Sequence, residues 1–223
     1  MSLPHPPAAE LYVFDVDHTI TRHSTGRRFA ELGRRRGFVS LQDFLTLPIL
    51  YLRYRYGLLT IEDVDRPLTP LAGMRREELE ALGQECFEDR SRRDIYPGME
   101  RHIRSIREEG REVVLASTSF SFLLEPFARH FEAVGLICSH LEYDDDVATG
   151  RLDGPPCYAA EKARRTVAYC EKLGVPMERV SFYSDSHQDL ALLEQVGAPV
   201  VVNPDRRLRR RANEAGWQVL RPE

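Results

Sequence analysis

Two aspartates close a short apolar run near the start of the chain. Residues 11–14 read Leu-Tyr-Val-Phe, and Asp15 and Asp17 follow, two residues apart. A continuous apolar run predicts a strand buried on both faces, and residues i and i+2 of an extended chain point to one side. We therefore expect two carboxylates at one strand end, where their repulsion favours a nearby cation. The alternative is a strand followed by a polar turn in which an Asp caps a helix.

Two more polar segments follow apolar runs. Residues 117–119 read Ser-Thr-Ser, and Asp185 and Asp189 come directly after residues 180–183. We expect a helix to begin at residue 119, because a helix N-terminus offers free N–H groups and a positive dipole end to a phosphate. An ordinary helix cap is the alternative for this segment. The spacing of four predicts that the two aspartates share one face of a helix.

Lysine is rare in this chain. Of its 31 Lys and Arg residues, only Lys162 and Lys172 are lysines, so a lysine suggests a site that needs a compact ammonium. Clustered carboxylates suit Mg²⁺, which prefers oxygen ligands. A metal ion, a lysine and N–H donors around an Asp are what phosphoryl transfer requires, and an Asp can itself be the nucleophile. The alternative for Lys162 is a solvated helix residue.

Composition narrows the function classes. The 223 residues are 42% hydrophobic and 30% charged, and the net charge of −4 gives no reason to expect a nucleic-acid partner. The arginine-rich residues 206–211 are expected to form a solvated helix face.

The first residues lack a signal-peptide pattern, and the apolar residues 47–52 are too few to span a bilayer, so we expect a cytoplasmic protein without membrane insertion. The four cysteines show no CxxC spacing, which agrees with reduced thiols. Oligomeric state has no readable signal.

The order of elements predicts an α/β fold. Strands are expected at 11–14, 112–116, 134–138, 180–183, 199–202 and 217–220, separated by helices from residue 95 onward. This alternation indicates a mainly parallel sheet, whose ligands bind at the carboxyl ends of the strands. Residues 22–94 show no convincing strand. We therefore predict an α/β core from 1–21 and 95–223, with an inserted all-helical cap domain from 22–94.

Four motifs occur in the order that is typical of one superfamily. They are Asp15-Val-Asp17-His-Thr19, Ser117-Thr-Ser119, Lys162, and Asp185-Ser-His-Gln-Asp189. In this the chain resembles the haloacid dehalogenase (HAD) superfamily, and more narrowly the phosphoserine-phosphatase-like branch, subfamily IB, which carries a helical cap. The resemblance implies a Rossmann-like core. It also implies an Mg²⁺-dependent phosphomonoesterase that hydrolyses a small phosphorylated metabolite through an aspartyl-phosphate on Asp15.

The resemblance also implies a role for each motif residue. Asp15 would attack phosphorus, and Asp17 would protonate the leaving oxygen and then take a proton from the hydrolytic water. The implied catalytic residues are Asp15, Asp17, Ser117, Lys162 and Asp189. The implied phosphoryl-binding residues are Ser117, Thr118 and Lys162. The implied Mg²⁺ ligands are Asp15, Asp17 through its main-chain carbonyl, and Asp185.

Two differences from the phosphoserine-phosphatase-like branch disfavour phosphoserine as the substrate. The branch typically has a glutamate nine residues after the nucleophile and a Ser-Gly-Gly second motif, but this chain has Ser24 and Ser117-Thr-Ser119. Our hypothesis is that the aromatic residues 44–56, with Tyr51 and Tyr54, line the entrance for an amino-alcohol or lipid-derived phosphate. A phosphotransferase and a non-catalytic phospho-acceptor or interaction protein stay as alternatives.

Overall fold

The computed structural model describes residues 9–41 and 68–223. The aromatic residues 44–56, with Tyr51 and Tyr54, lie outside these ranges, so our hypothesis for them stays a prediction. Within the described ranges, no helix is both long and apolar enough to cross a membrane.

A six-stranded, fully parallel sheet lies at the centre of the described residues. Its strands are β1 (Leu11–Phe14), β2 (Glu112–Phe120), β3 (Gly135–Ser139), β6 (Val180–Ser184), β7 (Ala198–Val202) and β8 (Gln218–Leu220). The spatial order is β3-β2-β1-β6-β7-β8, so the chain extends the sheet first on one side of β1 and then on the other. A separate antiparallel hairpin consists of β4 (Leu141–Asp144) and β5 (Val147–Leu152). The predicted parallel sheet is confirmed.

Helices connect the strands. The α-helices are α1 (Thr25–Arg36), α2 (Arg76–Cys86), α3 (Arg92–Asp94), α4 (Pro97–Glu108), α5 (Ser121–His130), α6 (Ala160–Leu173), α7 (Leu190–Leu193) and α8 (Arg206–Ala215). A π-helical turn, Phe87–Ser91, joins α2 to α3, and a 3₁₀ turn, His187–Asp189, precedes α7. The hairpin turn contains Asp145 and Asp146 at positive φ, which Asp tolerates better than most residues.

Both faces of the sheet are buried. Along β1, Tyr12 and Phe14 pack on one face with residues of α4 and α5, and Leu11 and Val13 pack on the other with residues of α6, α7 and α8. All four side chains are fully buried. This explains why the strand is an uninterrupted apolar run. A third cluster joins α1 and α2 to α5 and the hairpin through residues such as Phe29 and Phe122.

The structure corrects our prediction for residues 117–119. Strand β2 continues to Phe120 with an irregular register after Ala116, and α5 begins only at Ser121. Ser117 is therefore not at a helix N-terminus. The segment stays extended because Ser139 Oγ donates to the Thr118 carbonyl at 2.7 Å and because Thr and Phe favour strands.

The segment after residue 68 packs on the hairpin. Leu68 N donates to the Gly150 carbonyl at 2.7 Å, and Gly73 N donates to the Ala148 carbonyl at 2.8 Å. Gly150 has φ +81, and a Cβ there would lie 3.0 Å from the Ala72 side chain, so glycine suits this close approach. The division into a core and an inserted cap stays a prediction.

Candidate active site

The candidate site lies where the strand order changes direction. Phe14 pairs with Leu115 on one side and with Tyr183 on the other, so the residues that follow the three strands meet at the carboxyl edge. Such switch points in parallel sheets are where ligands bind. Asp15 comes next, and alternation directs its side chain to the face that holds Val13, which α6 covers.

Lys162 connects two of the predicted carboxylates. Its Nζ lies 2.9 Å from Asp15 Oδ1 and 3.0 Å from Asp189 Oδ2, and the side chain is only 2% exposed. Asp189 Oδ2 also accepts a hydrogen bond from Ser184 Oγ at 2.7 Å. The alternative of a solvated lysine is therefore wrong, because α6 directs this residue into the protein rather than into water.

Thr19 connects the loops that follow β1 and β6. Its hydroxyl donates to Asp15 Oδ2 at 3.1 Å and accepts from the Asp185 N–H at 3.0 Å. A hydroxyl can do both at once. Asp185 precedes the 3₁₀ turn that ends at Asp189, so the two aspartates do not share a helix face as we predicted. The sequence motif contains Thr19, but its spacing alone gives no sign of this bridge.

Asp17 is held by the N-terminus of α1. Thr25 N donates to Asp17 Oδ1 at 2.8 Å, and Thr25 Oγ1 donates to Ser119 Oγ at 2.8 Å. Ser119 N in turn donates to Ser117 Oγ at 3.2 Å. Sequence reasoning missed Thr25, since its only local sign is its position as the first residue of a helix capped by Ser24.

Burial shifts the pKa values of the two leading carboxyls upward. Burial raises the pKa of Asp15 to about 7, and the opposing effect of the Lys162 charge only partly offsets it while Asp189 adds to it. Burial also raises the pKa of Asp17, against the hydrogen bond from the Thr25 N–H. Both shifts indicate a site where more positive charge would be stabilising.

The donor set fits a magnesium ion. Asp15 and Asp185 are buried carboxylates on adjacent loops, and carboxylate, carbonyl and water oxygens are the ligands that Mg²⁺ prefers. Within residues 9–41 and 68–223, no group of three or more His, Cys, Asp or Glu side chains could hold an ion by itself. The predicted magnesium site does not need such a group of three side chains, because its ligands are two carboxylates, the Asp17 main-chain carbonyl and waters.

A protein-family model matches most of the chain. The family model for haloacid dehalogenase-like hydrolases matches residues 12–194. A histidinol-phosphatase of Neisseria meningitidis is 29% identical over 94% of this chain and 97% of its own length. The phosphoserine phosphatase SerB1 of Mycobacterium tuberculosis is 29% identical over 92% of this chain and 68% of its own length.

Solved structures support the same fold. A protein of unknown function from Bordetella pertussis superposes with a TM-score of 0.84 and 31% identity, covering 95% of this chain and 98% of its own. A phosphoserine phosphatase with a phospho-aspartyl intermediate analogue has a TM-score of 0.70 and 15% identity, covering 96% of this chain and 94% of its own. At that identity the likeness concerns the fold alone. The predictions of a Rossmann-like fold and of a HAD-like hydrolase are confirmed, and the named relatives are phosphatases. The chain belongs to the haloacid dehalogenase-like hydrolase family.

Proposed function

We propose that this chain is an Mg²⁺-dependent phosphomonoesterase that forms an aspartyl-phosphate on Asp15. The observation that carries the proposal is the buried Lys162, whose Nζ bonds both Asp15 and Asp189 at the switch point of the sheet. A buried ammonium beside a strand-end carboxylate suits a site that receives a dianionic group. The HAD family membership and the phosphatase relatives support the same activity.

The first half-reaction uses Asp15 and Asp17. A carboxylate oxygen of Asp15 forms a bond to phosphorus while the bond from phosphorus to the ester oxygen breaks. Asp17, whose pKa is raised by burial, donates its proton to the departing alkoxide. The Thr25 N–H holds Asp17 from the side of α1, so the acid keeps its orientation. The products are a free alcohol and phosphorylated Asp15.

The second half-reaction returns the enzyme to its starting state. Asp17, now ionised, takes a proton from a water whose oxygen attacks phosphorus, and the bond from phosphorus to Asp15 breaks to release inorganic phosphate. Lys162 stays within hydrogen-bond distance of Asp15 and offsets its charge. In this proposal Asp15, Asp185 and the Asp17 carbonyl would hold Mg²⁺, which when bound supplies positive charge beside Asp15 and the phosphoryl oxygens.

The phosphoryl oxygens would be bound by Ser117, Thr118 and Lys162. Ser117 is buried and its Oγ already accepts from Ser119 N, so its hydroxyl hydrogen is available for an acceptor. The substrate is proposed to be a small phosphorylated metabolite. Histidinol phosphate and phosphoserine are the first compounds to test, since two relatives are named for these activities. We also propose a cytoplasmic location, which the four unpaired cysteines support.

The test is phosphate release from p-nitrophenyl phosphate with Mg²⁺. We expect Asp15→Asn to lower the rate by about 10³-fold or more, because it removes the nucleophile. Asp145→Asn makes the same chemical change in the exposed hairpin turn and should leave the rate unchanged. Chelation by EDTA should abolish the activity. Mass spectrometry of acid-quenched enzyme should find phosphate on Asp15.

Two results would contradict this proposal. One is an Asp15→Asn variant with the wild-type rate, and the other is full activity in EDTA. Addition of a small alcohol separates hydrolysis from transfer, since a phosphotransferase would form a new phosphate ester with it. A screen of phosphorylated metabolites, beginning with histidinol phosphate and phosphoserine and extending to other amino-alcohol phosphates, then ranks the substrates.

A further inference from the structure

We propose that Asp205 is a positioning residue for the turn that carries Asp185, and that it sets the affinity of the site for Mg²⁺. This inference rests on the proposed function and extends it to a residue outside the four motifs. Asp205 lies in the loop between β7 and α8, so it follows the strand next to β6 rather than β1 or β6 itself. It does not bind the ion itself.

Three hydrogen bonds connect Asp205 to the turn. Asp205 N donates to the main-chain carbonyl of Asp185 at 3.1 Å. Asp205 Oδ2 accepts from the main-chain N of His187 at 3.1 Å and from His187 Nδ1 at 2.8 Å. The two side chains are 13% and 20% exposed, so water competes only weakly with these bonds. Asp205 thereby holds the main chain on both sides of Ser186, at the carbonyl of Asp185 and at the N–H of His187.

The other carboxylate oxygen of Asp205 anchors the residue itself. Oδ1 accepts from Arg207 N at 2.8 Å and from Leu208 N at 2.9 Å, which makes Asp205 the N-cap of α8. One oxygen therefore binds the helix and the other binds the turn. Burial acts to raise the pKa of Asp205, but the hydrogen bonds from Leu208 and His187 outweigh it and hold the pKa below its usual range. The carboxylate is thus favoured as the acceptor for all four N–H groups.

The tautomer of His187 agrees with this arrangement. Its Nε2 lies 3.2 Å from the amide nitrogen of Gln188, and an amide nitrogen can only donate. Nε2 therefore accepts, and the ring hydrogen is on Nδ1, where it is donated to Asp205. The contacts of His187 with Asp205 and Gln188 therefore indicate that this histidine supports the turn.

The experiment compares Asp205→Asn with the wild type in direct Mg²⁺ binding. The amide offers one acceptor oxygen and one donor nitrogen, so it can cap α8 or accept from His187, but not both. Groups that orient metal ligands typically change metal affinity by 10-fold to 100-fold. We expect calorimetric titration of the metal-free enzyme to give an Mg²⁺ dissociation constant about tenfold higher in the variant. The Mg²⁺ concentration that gives half-maximal phosphatase activity should rise in parallel.

Two control variants separate positioning from a merely structural role. Ala212→Gly weakens α8 at a buried position about two helical turns beyond Asp205, so it should lower the urea midpoint and leave Mg²⁺ binding unchanged. Asp205→Ser retains an N-cap oxygen but loses the acceptor for His187, and it should reproduce the weaker Mg²⁺ binding if Asp205→Asn does not fold.

The outcomes distinguish this inference from the proposed function. Mg²⁺ binding at wild-type strength in both folded Asp205 variants overturns the inference and leaves the phosphatase proposal intact. An equal loss of Mg²⁺ affinity in Ala212→Gly also overturns it, because helix stability would then be sufficient as the cause. A wild-type protein with neither Mg²⁺ binding nor phosphatase activity overturns the proposed function and this inference with it.

Discussion

Ion pairs at the carboxyl edge of the sheet and ion pairs between α1 and α2 have similar lengths but different surroundings. Lys162 Nζ lies 2.9 Å from Asp15, with side chains 2% and 9% exposed. Arg36 lies 2.7 Å from Glu85, with side chains 58% and 35% exposed. Distance therefore does not distinguish the two pairs. Access of water distinguishes the two pairs. Water screens the exposed Arg36–Glu85 pair, whereas the buried Lys162–Asp15 pair stays strongly coupled to its neighbours.

A third pair lies between these extremes. Arg28 donates to both oxygens of Asp94, at 2.6 and 3.0 Å, and the two side chains are 15% and 11% exposed. The pair joins the start of α1 to the end of α3, next to the place where Tyr96 N donates to the Ile20 carbonyl. The three ion pairs thus represent three levels of burial.

The largest effect is expected from Lys162→Met. The change leaves Asp15 and Asp189 as buried carboxylates without their ammonium, and breaking a buried pair in this way costs about 3–5 kcal/mol. Urea unfolding should show this loss, and phosphatase activity should fall below detection. Lys172→Met is the matched control, since Lys172 is exposed on the same helix. A Lys162→Met variant as stable and as active as the control would show that the buried Lys162 ion pairs contribute no more than an exposed lysine does.

An intermediate effect is expected from Asp94→Asn. The change keeps the shape of the side chain but removes the charge that accepts two hydrogen bonds from Arg28. Charge-assisted bonds of this kind contribute about 2 kcal/mol when they are partly buried. The free energy of unfolding in urea measures the loss. Glu85→Gln makes the equivalent change in the exposed pair, and equal stability of the two variants would show that burial does not rank these pairs.

A smaller effect, of opposite sign, is expected from Ala159→Gly. Ala159 has φ 48 and ψ −118 directly before the helix that carries Lys162, a conformation that L-residues rarely adopt. Glycine relieves that strain, so the free energy of unfolding should rise by about 1 kcal/mol. Ala160→Gly, one residue further, should be destabilising, and a destabilised Ala159→Gly would argue against strain.

The smallest effect is expected from Arg35→Ala. Arg35 pairs with Asp89 on the surface, with side chains 49% and 39% exposed. Such pairs contribute little, and salt screens them. The urea midpoint should stay unchanged within error, with or without about 0.5 M NaCl. A clear, salt-dependent loss of stability would show that the surface ion pairs of α1 stabilise its packing more strongly than their exposure suggests.

Elements that depend on neighbouring residues were predicted correctly from the sequence, and elements that depend on distant contacts were not. The arginine-rich residues 206–211 do lie in a helix, α8, because local residues define it: Asp205 caps its start and Gly216 ends it at positive φ. Strand β1 also agrees, since four apolar residues with buried faces leave little choice. Strand β2 was predicted to end too early. Its last residues pair with β3 and with Ser139, which are contacts that a local pattern does not contain.

Residue types and their order along the chain establish the chemistry that is available: the paired aspartates, the rare lysine, the order of the motifs and the alternation of strands with helices. How these residues meet depends on the folded chain. The Lys162–Asp15 bond joins residues 147 positions apart, and the Asp185–Thr19 bond joins residues 166 positions apart. The bridging roles of Thr19, Thr25 and Asp205 depend on distances across the folded sheet edge. Periodicity and residue type act along the chain, whereas hydrogen-bond partners at such separations are chosen by packing.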